Sequence, residues 1–357
     1  MDFFRDLAKS AKHEYTNIAD DEVSSAEYTG LIDTGCYIFN AQISGSLYGG
    51  MQNNKVLGIC GPTSTGKTFF ALGIMSNFLM QNPNGGVVYY DTESAVTKAM
   101  MVSRGIDPKR VIIAEPQTIE QFRHHAANMV ENYMKFPVES RPPMMMVLDS
   151  LGNLSSNKEM ADITAGADTR DMTKAQLIRA AFRVLRLKLS KAGIPFIVTN
   201  HTYAAIGGNT HDEELAGGGG FKYCSDTIAI LSKAQDKVES TNEIVGNFIS
   251  VKMYKARLSK ERTKTRLNLS YAKGLSRYYG LLELAEKYKI FPKFSTQYEV
   301  DGKKYYAKTI NENPTKFFTP EVMEKLELAA QKEFRYGAVE DTEEDVVTVE
   351  TTNEVQE

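Results

Sequence analysis

Residues 61–68, with the sequence GPTSTGKT, fit the pattern G-x-x-x-x-G-K-[ST], which constrains the fold of this chain more than any other feature. The apolar residues 56–59 before this segment are typical of a short strand, and residues 69–75 after it are typical of the start of a helix. In such a unit the glycines let backbone N–H groups turn toward phosphate oxygens, and the positive end of the helix dipole faces the same anion. The pattern therefore predicts a phosphate site for a nucleoside triphosphate.

Single residues of the motif have predicted roles. Lys67 would reach the β and γ phosphates, and the Thr68 hydroxyl would hold Mg²⁺. The alternative is a glycine turn with a chance lysine, which the correct order of strand, loop and helix disfavours. The predicted nucleotide-binding residues are Gly61, Pro62, Thr63, Ser64, Thr65, Gly66, Lys67 and Thr68.

Acidic residues follow two other predicted strands. Asp149 ends the apolar run 144–148, where a carboxylate can orient Mg²⁺ through water beside the phosphate loop. Glu93 lies just beyond the run 87–90, where it could act as the general base that polarises a water for attack on the γ-phosphate. Asp91 is the competing candidate for that base, and a plain acid at a strand-end turn is the simpler alternative.

A third strand end carries His201, after residues 196–199. A polar side chain there can bond the γ-phosphate and report its loss to the next loop, although an ordinary structural histidine is the alternative. Two long polar segments, 155–171 and 204–220, follow strands at the same predicted edge of the sheet, where open α/β sheets bind ligands. They are either functional loops or mobile surface loops.

Short apolar runs alternate with helical patterns between residues 31 and 284, which predicts an α/β fold with a mostly parallel central sheet flanked by helices. The predicted strands are 56–60, 87–90, 111–114, 144–148, 196–199, 228–231 and 248–253, and the main helices are 118–134 and 172–191. Around this core we expect an N-terminal helix and linker (1–30), a small C-terminal region (285–336) with a hairpin near 298–306 and a helix over 320–334, and an acidic tail (337–357). The N-terminal helix would pack on a neighbouring subunit or on its own core.

Composition points to a cytoplasmic protein without a membrane anchor. Hydrophobic residues make up 42% of the 357, enough for a sizeable core, yet no apolar run approaches the roughly 20 residues that cross a bilayer. The N-terminus lacks a secretory signal. Three cysteines without metal spacing (Cys36, Cys60 and Cys224) predict reduced, buried thiols.

The net charge of −3 divides into −8 in residues 338–357 and +5 in the rest of the chain. The tail has too little apolar content to fold, and it either solubilises the protein or competes with nucleic acid for a basic surface. Residues 252–266 hold seven basic side chains, which could contact phosphodiesters, place cations on a neighbour's nucleotide, or form a solvated face.

Five segments, taken in order, resemble the RecA-like recombinases, most closely the branch found in tailed bacteriophages. These are GPTSTGKT at 61–68, DTE at 91–93, LDSLGN at 148–153, TNH at 199–201 and the four glycines at 217–220. The resemblance covers about residues 31–284. It implies a RecA-like ATPase core, with ATP and Mg²⁺, that forms helical filaments on single-stranded DNA and exchanges strands with homologous duplex DNA in recombination and repair. A single-strand-binding protein and a loading mediator are the further partners it implies.

The resemblance also implies roles for matching residues. Lys67 and Thr68 match the phosphate-loop pair, Asp149 the metal-orienting acid, Glu93 the catalytic glutamate and His201 the γ-phosphate sensor. Loops 155–171 and 203–221 match the two DNA-binding loops, and Lys255 and Arg257 match two cations that reach the neighbouring subunit's ATP. The expected DNA-binding residues are Arg170, Lys174, Gly217, Gly218 and Lys222.

Two positions depart from the family pattern. Met100 stands where an aromatic residue usually stacks on adenine, and Arg257 replaces a lysine of the bacterial proteins, which changes the hydrogen-bond geometry. Two other functions stay open. A replicative helicase of the same fold would usually carry a larger N-terminal domain, and an ATP-sensing filament scaffold would not need the base Glu93.

Overall fold

The computed structural model describes residues 2–11, 27–166, 173–204, 213–216, 218–237 and 243–337. The strands are β1 Leu31–Ile32, β2 Met51–Gln52, β3 Val56–Gly61, β4 Gly86–Asp91, β5 Val111–Ala114, β6 Met144–Asp149, β7 Phe196–Ala204, β8 Glu213–Leu215, β9 Thr227–Lys237, β10 Ile244–Lys255, β11 Lys264–Ser270, β12 Gly274–Leu275, β13 Lys293–Phe294, β14 Gln297–Val300 and β15 Lys303–Tyr306. The helices are α1 Asp2–Ser10, α2 Tyr37–Ser44, α3 Lys67–Gln81, α4 Lys98–Val102, α5 Ile119–Met134, α6 Asn157–Thr164, α7 Lys174–Ala192, α8 Gly219–Cys224, α9 Leu281–Lys287, α10 Ala307–Glu312, α11 Pro314–Phe317 and α12 Pro320–Phe334.

One large sheet organises the fold, with the strand order β12-β11-β10-β9-β3-β7-β6-β4-β5. The six strands from β9 to β5 pair in parallel, whereas β10, β11 and β12 extend the sheet through antiparallel pairs. The predicted α/β fold with a mostly parallel sheet is confirmed. Strands β9 and β10 run well beyond the predicted apolar runs, because their mutual antiparallel pairing satisfies the backbone of the more polar residues.

Both faces of the sheet are buried. Along β3, Leu57 and Ile59 belong to one apolar cluster, while Val56 and Cys60 belong to a second cluster on the other face. Side chains alternate between faces along a strand, so a strand covered on both sides reads as an unbroken apolar run. This is why the central strands were recognisable from the sequence.

The two predicted long loops contain more regular structure than expected. Helix α6 lies within the segment predicted as loop 155–171, and Ser156 and Glu159 form a capping box at its start. The S-x-x-E spacing was visible in the sequence and was overlooked. Helix α8 likewise begins inside the predicted loop 203–221, where Phe221 is fully buried in the second apolar cluster and anchors the helix.

The C-terminal region follows its prediction closely. Strands β14 and β15 form the expected hairpin, and Asp301 (φ 51°) and Gly302 (φ 73°) both have the positive φ values that its two-residue turn requires. Helix α12 has the predicted bounds, begins with a Thr319 cap and shares the first apolar cluster with the core through residues such as Leu326. The domain boundary at residue 284 stays a prediction.

The predictions for the two ends of the chain are only partly tested by the structure. Helix α1 is formed, and Phe3, Phe4 and Leu7 on it are largely exposed. Residues 12–26, which include most of the predicted linker 16–30, and residues 338–357 of the predicted acidic tail 337–357 lie outside the described residues. Cys36, Cys60 and Cys224 are buried thiols, as predicted. Within the described ranges, no helix combines the length and apolar character needed to span a bilayer.

Candidate functional site

The carboxyl ends of four parallel strands bring the predicted nucleotide-site residues together. Gly61 at the end of β3 is in register with His201 of β7, and Asp91 at the end of β4 is in register with Asp149 at the end of β6. Because parallel strands end at one edge of the sheet, these residues and the phosphate loop converge at that edge.

The phosphate loop has the backbone conformation that its glycines allow. Gly66 (φ 92°) lies directly before helix α3, and a Cβ on Gly61 (φ 153°) would stand 2.5 Å from the carbonyl oxygen of Leu231. Helix α3 begins at Lys67, and no side chain among the described residues caps it. The N–H groups of its first turn are therefore available to an anion, which the helix dipole also favours.

Lys67 is buried beneath this loop and is 7% exposed. Its Nζ donates to the carbonyl oxygens of Gly61 (3.1 Å) and Pro62 (2.9 Å). Burial lowers the pKa of the ammonium, while the nearby carboxylates of Glu93 and Asp149 act in the opposite direction. A triphosphate would supply further negative charge, so the arrangement fits this ligand.

Asp149 is 1% exposed, and hydrogen bonds hold both of its carboxylate oxygens. The Tyr89 hydroxyl donates to Oδ2 at 2.7 Å, and the Thr199 hydroxyl donates to Oδ1. Burial, and then the Asp149 charge, raise the pKa of Tyr89, which keeps its hydroxyl protonated as a donor. Tyr89 was missed in the sequence, because a tyrosine in an apolar strand reads as a core residue.

The two candidate bases have different surroundings. Asp91 is buried and accepts hydrogen bonds from the backbone N–H groups of Glu93, Ala95 and Val96, so it stabilises the turn after β4. Glu93 is partly exposed and accepts a bond from the Ser150 hydroxyl at 2.8 Å. The free lone pairs and exposure of Glu93 favour it over Asp91 as the base.

His201 contacts the same carboxylate, with its Nε2 3.4 Å from Oε1 of Glu93. Its neighbour Asn200 is fully buried and donates through Nδ2 to the carbonyl oxygen of Ala216 at 2.8 Å. The N–H of Ala216 in turn donates to the carbonyl oxygen of His201 at 2.9 Å. These bonds join β7 to Ala216, which lies within the second predicted DNA loop (203–221).

The residues at this edge also fit a magnesium ion held partly by phosphate. Among the described residues, no three His, Cys, Asp or Glu side chains gather into a metal site of their own. Mg²⁺ in nucleotide sites takes one or two protein oxygens and completes its shell with phosphates and water. Thr68, on the first turn of α3, and Asp149 would be those protein groups.

Lys255 and Arg257 lie at the opposite edge of the sheet. Arg257 pairs with Asp226, whose Oδ2 accepts a bond from the backbone N–H of Val56, the first residue of β3. The phosphate loop begins at the other end of β3, about 17 Å away for five strand spacings. The structure therefore does not bring these two cations to the phosphate site of their own chain.

Lys255 is held by the backbone at this second edge. Its Nζ donates to the carbonyl oxygens of Ser225 (2.6 Å) and Lys222 (2.8 Å). Burial lowers the pKa of Lys255, and repulsion from Arg257 adds to that effect.

The residues predicted to bind DNA are only partly described. Lys174, at the start of α7, forms an ion pair of 3.4 Å with Glu159, and Gly218 lies before α8 near Ala175. Lys222 lies over the Tyr254 ring, 4.8 Å from its centre. The ends of the two predicted DNA loops thus meet at the first turn of α7. Arg170 and Gly217 lie outside the described residues.

The protein family described as the RecA N-terminal domain matches residues 22–276. This chain belongs to that family. The match includes the phosphate loop, both acidic strand ends, His201 and the segment that contains Lys255 and Arg257.

Three relatives illustrate the similarity of this RecA-family chain. It is 31% identical over 256 residues to the recombination and repair protein of Enterobacteria phage T4, a match that covers 71% of this chain and 63% of that protein. It is 26% identical over 284 residues to the mitochondrial DNA repair protein recA homolog 3 of Arabidopsis thaliana, covering 78% and 62%. It is 27% identical over 293 residues to the protein RecA of Mesomycoplasma hyopneumoniae strain 7448, covering 78% and 81%. The matches thus span less than two thirds of the first two relatives.

A solved structure supports the fold. The crystal structure of the RadB recombinase superposes with a TM-score of 0.50 at 18% sequence identity, covering 69% of this chain and 98% of that one. At this identity the likeness extends to the fold alone, and it agrees with the RecA-like arrangement of the sheet.

One exposed aromatic residue, which follows the strand that contacts the phosphate loop of this RecA-family chain, was missed in the sequence. Leu269 of β11 lies 3.3 Å from where a Cβ on Gly66 would stand, and Tyr271 follows two residues later with 67% of its surface exposed. Met100, on α4, is half-buried against the first apolar cluster. Tyr271 is thus an exposed aromatic ring in the turn between β11 and β12, two residues beyond the contact of β11 with the phosphate loop.

Proposed function

We propose that this protein is an ATP-dependent recombinase, which hydrolyses ATP while bound to single-stranded DNA and exchanges strands with homologous duplex DNA. The convergence of Lys67, Asp149, Glu93 and His201 at one sheet edge carries the proposal. The printed names of its relatives, which concern recombination and repair, support the same function.

The nucleotide chemistry follows from the groups at that edge. Lys67 and the N–H groups of the α3 first turn bind the β and γ phosphates, while Thr68 and Asp149 hold Mg²⁺, which neutralises phosphate charge. Glu93 accepts a proton as the water oxygen bonds to the γ-phosphorus and the bond from that phosphorus to the ADP oxygen breaks. Tyr271 stacks on the base and takes the role of the aromatic residue that the family usually has at the position of Met100.

Filament formation is supported by the two opposite edges of the sheet. The phosphate site lies at the carboxyl edge, and Lys255 and Arg257 lie at the amino edge, so the cations can serve only the ATP of another protomer. A head-to-tail contact between different surfaces repeats along the chain of subunits and builds a helical filament when it does not close into a ring. ATP bound between protomers then stabilises the filament, and hydrolysis loosens it.

DNA binding is assigned to the two loops that meet at the start of α7. Arg170, Lys174 and Lys222 contact backbone phosphates, together with N–H groups near Gly217 and Gly218. His201 transmits the state of the γ-phosphate to the second loop through the Asn200 and Ala216 bonds. Since the contacts are mainly ionic, we expect weak sequence preference and strong salt dependence.

The helicase and scaffold alternatives receive less support. None of the relatives reported above is named as a helicase, and the accessible Glu93 next to Lys67 suits turnover rather than sensing alone. The single-strand-binding protein, the loading mediator, the oligomerisation role of α1, the regulatory tail and the cytoplasmic location stay predictions.

The test combines turnover and imaging of the full chain. ATP hydrolysis is measured with and without long single-stranded DNA, and the same samples are examined by negative-stain electron microscopy, with Lys67→Ala as the control. Stimulated hydrolysis with helical filaments, followed by strand exchange on homologous duplex, is the expected result. Closed rings would favour the helicase, and hydrolysis indifferent to DNA would contradict the recombinase.

A further inference from the structure

One buried carboxylate, that of Asp226, joins three parts of the fold at the amino edge of the sheet. Asp226 is 3% exposed and lies directly before β9. Its Oδ2 accepts the N–H of Val56 at 3.1 Å, while its Oδ1 lies 2.8 Å from Nη2 of Arg186 and 2.9 Å from Nε of Arg257. A buried carboxylate needs such partners, and these fix its position against the start of β3 and helix α7.

The two arginines use different parts of their guanidinium groups. Arg186 reaches Asp226 through a terminal nitrogen. Arg257 forms an ion pair with Asp226 through Nε, and its side chain is 50% exposed on the wall of a pocket of about 500 Å³. Its two terminal nitrogens have no hydrogen-bond partner among the described residues. They therefore present a planar pair of donors to the pocket, which is the geometry that binds phosphate through two hydrogen bonds.

We propose that Asp226 is a positioning residue, which holds Arg257 through Nε so that its terminal edge meets the phosphates of the ATP bound by the neighbouring protomer. The inference rests on the proposed function, in which Arg257 acts across the protomer contact. It also explains the departure from lysine at this position. A lysine has one nitrogen, so pairing with Asp226 would draw its charge toward the buried carboxylate, whereas a guanidinium pairs and still offers two donors.

The first measurement is DNA-stimulated ATP hydrolysis by four variants of the full chain. Asp226→Asn, Arg257→Gln and Arg257→Lys should each lower turnover at least tenfold. Arg186→Gln is the matched control, because it removes the other guanidinium from the same Oδ1 and leaves Arg257 in place. Its turnover should stay within about twofold of the wild type, whatever stability it loses. Turnover near the wild-type rate in Asp226→Asn or Arg257→Lys would overturn the proposal.

Mixing experiments separate a defect at the amino edge from a general failure to fold. Protomers of Lys67→Ala have a defective phosphate site but an intact amino edge, so they can complete the ATP site of an Asp226→Asn neighbour. At a 1:1 ratio about a quarter of the contacts join a sound phosphate site to a sound amino edge, and activity should return in proportion. A folding defect in Asp226→Asn would not be relieved by this partner.

The Arg257→Gln variant separates a failure of the proposed function from a failure of the proposed role of Asp226. If Arg257→Gln is not rescued by Lys67→Ala, the action across the contact fails and the proposed assembly fails with it. If Arg257→Gln is rescued but a folded Asp226→Asn is not, only the role of Asp226 is refuted. If a thermal melt shows that Asp226→Asn does not fold, the Arg257→Lys variant decides. Low turnover that is restored by mixing with Lys67→Ala supports the positioning role of Asp226. Turnover of Arg257→Lys at the wild-type rate overturns it.

Discussion

The Tyr89 hydroxyl donates a 2.7 Å hydrogen bond to Oδ2 of Asp149, while the hydroxyl of the next residue, Tyr90, lies 3.0 Å from Nδ1 of His125 on the other face of the sheet. Both tyrosine rings are fully buried. Adjacent residues of one strand thus provide a hydroxyl that donates to the proposed magnesium site and a hydroxyl that is bonded remote from it. This pair allows a test in which the two changes are chemically identical.

Replacing Tyr89 by Phe should raise the Mg²⁺ concentration needed for half-maximal nucleotide binding by about tenfold, since partners that orient a metal-holding carboxylate typically contribute 10- to 100-fold. Tyr90→Phe should leave that midpoint unchanged. The measurement is equilibrium binding of a fluorescent ADP analogue across a Mg²⁺ titration, which does not require turnover. Equal shifts in both variants would show that the Tyr89 bond is only structural.

Glu93→Gln should abolish most ATP hydrolysis but keep ATP binding, because the amide cannot accept the proton of the attacking water. Filaments on single-stranded DNA should then persist for longer than those of the wild type in electron micrographs. Asp91→Asn should instead lower the melting temperature, because the amide is a weaker acceptor for the backbone N–H groups after β4. Rapid hydrolysis by Glu93→Gln would assign the base elsewhere.

Gly220→Ala should disturb the second predicted DNA loop. A Cβ at Gly220 would stand 2.9 Å from the backbone of Arg179, so α8 must move away from α7 and withdraw Phe221 from the core. We expect weaker binding of single-stranded DNA and a loss of stability of about 1–3 kcal/mol. Gly73→Ala within α3 is the control: it meets no atom within 4 Å and should be neutral or stabilising by up to about 1 kcal/mol. Affinity and chemical denaturation measure the two effects.

Cys36 should make stability fall at alkaline pH. Burial raises the pKa of its thiol from 9.0 to about 11, so between these values the folded state binds more protons than the unfolded state. Stability is therefore lost as pH rises through this window, by about 3 kcal/mol at most. Urea unfolding of the wild type and Cys36→Ala at pH 8.5 and 10.5 tests this, and the wild type should show the larger decrease. Equal decreases would contradict the prediction.

The same burial predicts the reactivity of the thiols. Cys36, Cys60 and Cys224 are all buried thiols, and burial also raises the pKa of Cys224. In the native protein at pH 8, none should react readily with a thiol reagent, whereas all three should react after unfolding in guanidinium chloride. Fast labelling of one thiol in the native state would show that its surroundings open.

The sequence by itself determined the phosphate loop and the strand ends. Gly61 and Gly66 are needed by a local backbone conformation, and the apolar runs before Asp149 and His201 reflect strands buried on both faces. Parallel strands end at a common edge, so the meeting of these residues follows from their order in the chain. The start of α6 was within reach of the same reasoning at Ser156, where the S-x-x-E spacing signals a capping box.

Only the tertiary structure decided which side chains complete the site. The bond from Tyr89 to Asp149 spans 60 residues, and the bond from Val56 to Asp226 spans 170. Such pairs depend on strand register and on the packing of α7 across the sheet, which leave no periodic trace in the sequence. Likewise, the sequence placed Arg257 in a basic run, but the antiparallel turn of β10 carries it to the edge opposite Lys67. That separation, fixed by about 17 Å of strand, is what makes its action on a second protomer a physical necessity of the proposed function.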